Sequence, residues 1–168
     1  MERAARSGLT LAGLALLVVL GALWGWSAMT QPLPGEAEPA KCVTRTVAAG
    51  DRVFPGQVTV SVFNAGNSNG LAGRTLSAFS AAGFAEGDTG NAPRNAEVAR
   101  AVIWARTATS PDVRLVRSRL GPATRVVPRD APGVGVTVVV GDAFTKLAKG
   151  PRSVRATQES EICSPPNS

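Results

Sequence analysis

The chain has 168 residues, a formal net charge of +6, two cysteines, no tyrosine and no histidine. Such a length leaves room for one domain of roughly 100 residues once non-globular stretches are set aside. The missing histidines exclude Ser-His-Asp triads, Cys-His dyads and histidine zinc sites.

Residues 1–8 are expected as a cytoplasmic basic tail with Arg3 and Arg6, and 9–29 carry no charge. Twenty-one residues of helix would reach about 31 Å, the thickness of a bilayer core. Trp24 and Trp26 stand near the far end, where indoles favour headgroups, and the flanking charges predict the amino end inside and the carboxyl end outside. The expectation is thus an uncleaved single-pass anchor and an extracytoplasmic domain. A cleaved secretory signal is the competing reading, but its apolar core is usually shorter, roughly 7 to 15 residues. Residues 30–41 are a Pro-rich spacer, and 42–56 form an arm with weak valine alternation before a Pro55-Gly56 turn.

The domain is expected over 57–147, beginning with VTVSVFNAGNSNGLAGRTLSAFSAAGF at 58–84. Alternating Val58, Val60 and Val62 predict a strand, the Asn/Gly-rich run a tight loop, and the spacing from about Gly70 to Ala82 a helix. Ser68 or Asn69 is placed to cap that helix, and Gly83 to end it. Residues 84–91 are at most an edge strand. Ala101 to Ala105, apolar throughout, predicts a central strand. Ser110, Pro111 and Asp112 then open a second helix in which a carboxylate faces the positive dipole end. Thr124 to Val127 is a possible short strand and Val136 to Val140 a firm one. Residues 148–168 look like a polar tail, unstructured beyond Cys163. The order predicts a two-layer α/β sandwich: a mixed sheet of about four strands, two helices on one face, ferredoxin-like.

Cys42 and Cys163 bracket the folded region, and outside the membrane an even pair suggests a disulfide between its ends. Backbone amides at a helix start make an anion or carbohydrate-hydroxyl site, so the candidate binding set is Asn64, Gly66, Asn67, Ser68, Asn69, Gly70 and Arg74, with Asp142 after the last strand. The competing reading is turn geometry and capping alone. Arg114, Arg117 and Arg119 are a candidate anion face, or simply a solvated helix surface. Ser68, Asp51, Asp88 and Asp142 are the polar groups near loops, and none has a partner at a catalytic spacing. No metal ligand cluster, no cofactor motif and no nucleic-acid recognition pattern is present in the sequence.

The run of alternating valines into Asn64-Ala65-Gly66, followed by Gly70-Leu71-Ala72-Gly73, an apolar helix, Gly83-Phe84 and a late VTVVVGD, resembles the LytR C-terminal domain. Members often have Asn-Gly directly, whereas Ala65 intervenes here. The resemblance implies a cell-envelope location of the Gram-positive, especially actinobacterial, kind. That module commonly follows an LCP catalytic domain transferring glycopolymers, for which 30–56 leaves no space. The expectation is therefore a non-catalytic, membrane-anchored envelope accessory protein that binds a cell-wall polymer or an envelope protein such as an LCP-family enzyme, and supports wall assembly or envelope integrity. The alternatives are an envelope glycan hydrolase or transferase, or a scaffold for LCP-type enzymes; nucleic acid is not an expected partner.

Overall fold

A computed structural model describes the backbone of residues 2–30, 41–93 and 95–166, and their side chains except those of 2–12 and 28–30. The Pro-rich spacer over 31–40, the side chains of Arg3 and Arg6, and the final two residues lie outside that description. The chain divides into two compact units, Met1–Pro39 and Ala40–Ser168. The first holds one helix, α1 (Glu2–Thr30). Its described apolar side chains, including Leu17, Val18 and Trp24, are exposed. Among the described residues no helix is long and apolar enough to cross a membrane.

The second unit begins with two short strands, β1 (Val43–Val47) and β2 (Arg52–Val53), and a 3-10 turn at Pro55–Gln57. Then come β3 (Thr59–Asn64), α2 (Leu71–Ala81), β4 (Ala85–Asn91), β5 (Ala101–Trp104), α3 (Pro111–Leu120), β6 (Arg125–Val127) and β7 (Val136–Val140). Two more strands, β8 (Val154–Arg155) and β9 (Ser160–Ser164), close the chain.

Strands β3 to β7 form one five-stranded sheet in the order β4-β3-β7-β5-β6. Mixed α/β architecture with both helices on one face agrees with expectation; the ferredoxin-like topology does not. Each crossover joins adjacent parallel strands, β3 with β4 and β5 with β6. The last strand of the sheet, β7, lies between them, parallel to β3 and antiparallel to β5. Burial explains the order. All five residues of β7 are buried, which suits a central position, whereas Glu86, Gly87, Asp88 and Gly90 leave β4 fit only for an edge.

Alternation divides the sheet into two faces. Val60, Val62, Ile103, Val138 and Val140 pack with Leu76 and Phe79 of α2 and Leu115, Val116 and Leu120 of α3 in the main core. Phe79 meets Phe84 edge to face at 5.3 Å. Removing a buried phenylalanine of this kind costs about 3–5 kcal/mol. The opposite face carries a smaller core of Phe63, Val102, Trp104 and Val139, covered by loop residues such as Ala96 and Val98 rather than by a helix. Gly133 and Gly135 let the loop before β7 approach that face: an added Cβ at Gly135, whose φ is +70, would stand 2.1 Å from the Thr59 carbonyl oxygen.

The segment expected as a polar tail, 148–168, is a correction, since it contributes two strands. β9 pairs antiparallel with β1 and β8 with β2, so the two ends of the unit form a terminal ribbon. Cys42 and Cys163 join it by a disulfide, with Cα atoms 5.4 Å apart. The apparent polarity of the segment hid its alternation: Val47, Val53, Ala156 and Ile162 enter the main core while their neighbours face water. Ser164, one residue beyond Cys163, is fully buried opposite Val43. The ribbon packs over α3.

Candidate functional site

The loop between β3 and α2 is held by a carboxylate from elsewhere in the chain. β3 and β7 run parallel, with Asn64 opposite Val140, so both end on the same side of the sheet. Asp142, two residues beyond β7, thereby lies beside the loop. Its carboxylate accepts from the Asn67 amide at 2.9 Å, the Ser68 amide at 2.9 Å and the Ser68 hydroxyl at 2.7 Å. These donors, the Asn67 amide first, hold the Asp142 carboxyl below the usual carboxylate range. The amides expected to receive an anion therefore have one already, supplied in cis.

The other loop residues support this closure. Asn64 takes the Gly66 amide on its side-chain oxygen at 2.9 Å and donates its side-chain nitrogen to the Ser68 carbonyl at 3.0 Å, an Asx arrangement. Gly66 is required by proximity, since a Cβ there would stand 2.4 Å from Asp142 Oδ1. Neither Ser68 nor Asn69 caps α2: the N-cap is Gly70, in the left-handed conformation at φ 71. Ser68 is directed to Asp142 instead, and the Asn69 carbonyl accepts from Arg74 at 2.8 Å.

The arginines of α3 are distributed differently. Arg114 donates to the Arg155 carbonyl, Arg117 to the Thr124 carbonyl and Arg119 to the Pro151 carbonyl, at 2.9 to 3.1 Å. Arg155 in turn donates to the Gly50 carbonyl at 2.8 Å. They tie α3 to its following turn and to the terminal segment, and each keeps further donors for solvent or a ligand.

Asp88, in a bulge of β4, is a second hub. It accepts from Lys41 at 2.6 Å and from the Val134 amide at 3.1 Å, and these partners, Lys41 first, lower its pKa. Its own amide donates to Ser61 Oγ, which donates to the Val134 carbonyl. Asp51 accepts from the Ala48 amide at 3.2 Å. Ser68 and Asp142 are thus joined, hydroxyl to carboxylate, while Asp88 and Asp51 stand apart from them, and each of the three carboxylates accepts from a main-chain amide. Among the described residues no three acidic or sulfur ligands stand together.

What the sequence reasoning missed lies at the other end of the sheet. β5 is antiparallel to β7, so its end at Trp104 meets the beginning of β7. There a cleft of about 470 Å³ opens, lined by Trp104, Arg106, Asp112, Arg129 and Asp130 among others. Two further clefts share Trp104 and Arg129 with it. The Arg129 guanidinium lies 4.9 Å from the Trp104 ring centroid. Asp112 is 8% exposed. It accepts from the Ser110 hydroxyl and, at 2.8 Å, from the Val113 amide. Burial raises its pKa and outweighs those bonds and the helix end expected to favour the ion. Arg129 and Trp104 are 25 residues apart, so only the pairing of β5 with β6 reveals their contact.

Residues 57–144 match the LytR cell envelope-related transcriptional attenuator family, LytR_C. The chain belongs to this family, and its second unit carries a cell-envelope-related domain. Among solved structures it is similar to the soluble domain of a conserved hypothetical secreted protein from Mycobacterium marinum, at 25% identity and a TM-score of 0.48, covering 60% of this chain and 77% of that one. No curated protein matches the chain.

Proposed function

We propose that the protein is a non-catalytic accessory factor of the cell envelope. A single helix anchors it, and its domain outside the membrane binds a wall polymer or an envelope protein in support of wall assembly or envelope integrity. Family membership over 57–144 is the observation that carries this reading. The uncharged run 9–29 within α1 supports the anchor, with the domain extracytoplasmic. The disulfide suits that compartment. Asp51, Asp88 and Asp142 are occupied by main-chain amides, and the Ser68 hydroxyl is spent on closing its own loop through Asp142, which favours binding over hydrolysis or transfer.

The full chain in mild detergent, sedimented with purified cell walls in moderate salt, is expected in the pellet. A supernatant location would count against polymer binding. Crosslinking in intact cells then tests the protein-partner form, in which an LCP-family enzyme is held in trans.

A further inference from the structure

We infer that the cleft at the ends of β5 and β6 binds a short peptide through its free carboxylate, with the Arg129 guanidinium as the anchor. The cleft's size, about 470 Å³, is that of a site for a few residues. Arg129 is exposed and fixed over Trp104, and among the described residues no carboxylate pairs with it. An arginine held in this way is pre-ordered to take a carboxylate by paired N–H bonds.

Two features select a peptide over a sugar polymer. Trp104 is 3% exposed, so it offers no open ring face on which a pyranose would stack. The lining also carries both signs: Arg106 and Asp130 pair with each other at 2.9 Å and Asp112 is buried, which leaves Arg129 as the cation of the four without a carboxylate partner. One unpaired cation matches a single carboxylate followed by N–H donors, as at a peptide end, better than a run of repeated negative charge. Beyond Trp104 the neighbouring cleft continues over the same sheet face, past Val102, Arg125 and Val127, giving room for the residues that precede the carboxylate.

That the peptide is the carboxyl terminus of an envelope protein rests on the envelope reading above; the cleft does not. The test uses the full chain in detergent with Trp24→Phe and Trp26→Phe, which leaves Trp104 as its single indole. Acetyl-trialanine with a free carboxylate is titrated against its carboxamide, following Trp104 fluorescence. The acid is expected to bind saturably, and either amidation or Arg129→Ala to weaken it roughly tenfold or more, without adding. Lys149→Ala controls for net charge and is expected to change nothing, and melting curves check that each variant is folded. A flat titration, equal binding of acid and amide in a folded protein, or equal competition by an oligoglucuronate would overturn the inference. Sedimentation with cell walls alongside a flat titration would overturn the cleft and leave the envelope reading standing.

Discussion

In the first crossover, β3 to α2 to β4, the loop amides are filled by Asp142, an exposed carboxylate delivered from the end of β7. In the second, β5 to α3 to β6, the helix start is filled by Asp112, a buried residue of the helix itself. The same electrostatic need is met by a distant group in water and by a local group out of water, and the two carboxyls shift in opposite directions. Burial explains the difference: Asp112 is 8% exposed, whereas Asp142 lies in water. The terminal ribbon packs on α3, while α2 packs against β3 and β4. Closure by an exposed carboxylate keeps its hydration; closure by a buried one incurs a desolvation cost.

Opening the ribbon tests the contrast most severely. The disulfide closes a loop of 121 residues, for which the chain-entropy model gives about 5 kcal/mol. Cys42→Ser with Cys163→Ser is expected to lower unfolding stability by up to that amount in denaturant titrations. Hydrogen exchange adds the spatial readout: amides of α3 and β9 should exchange faster, with those of α2 changed least. Equal acceleration in both helices would show that the ribbon stabilises the unit globally, with no local effect on α3.

Two glycines of the first crossover provide a smaller and sharper test. At Gly66 an added Cβ would meet Asp142 Oδ1, but at Gly73, in α2, nothing lies within 4 Å. Gly66→Ala is expected to cost roughly 1–3 kcal/mol, by driving the carboxylate off the Asn67 and Ser68 amides. Gly73→Ala should instead stabilise by about 0.5–1 kcal/mol through helix propensity. Adding Asp142→Ala to Gly66→Ala should cost less than the sum of the two, since both remove one contact. Strict additivity in thermal melts would mean that the carboxylate and the loop are not a unit.

The strands β3, β5 and β7, the two helices of the domain and the disulfide are legible in the sequence because each rests on a local signal: alternating or continuous apolar residues, Ser110-Pro111, and an even cysteine pair. The strand order is not, since insertion of β7 between β3 and β5 depends on relative burial of segments far apart in the chain. The ribbon escaped notice because β8 is only two residues long and β9 places one large apolar side chain, Ile162, inward. For the loop, sequence identified the right residues and left their use open. Asp142 is 75 positions from Asn67, and only the parallel register of β3 and β7 makes it their acceptor. Trp104 falls in the apolar run that predicts a central strand, but Arg129 over it depends on the β5–β6 pairing.

The finest test of the comparison is its pH dependence. The Asp142 carboxyl titrates below its ordinary value of 3.8 in the folded chain. Its contribution is therefore complete above that value and is lost as pH falls through the folded one, because the unfolded chain binds the proton first. Asp112 titrates above 3.8. Between that value and its raised one the folded chain holds more protons, so its contribution to stability increases as pH falls through the raised value. Asp88 has the same sign as Asp142, so the wild-type curve alone mixes the two kinds. Differences against single variants separate them. The melting-temperature gap between wild type and Asp142→Asn should shrink below the ordinary carboxylate range, and wild type relative to Asp112→Asn should gain on acidification from neutral pH. The two difference curves must then slope in opposite directions. Parallel slopes would mean that water reaches Asp112 as freely as Asp142.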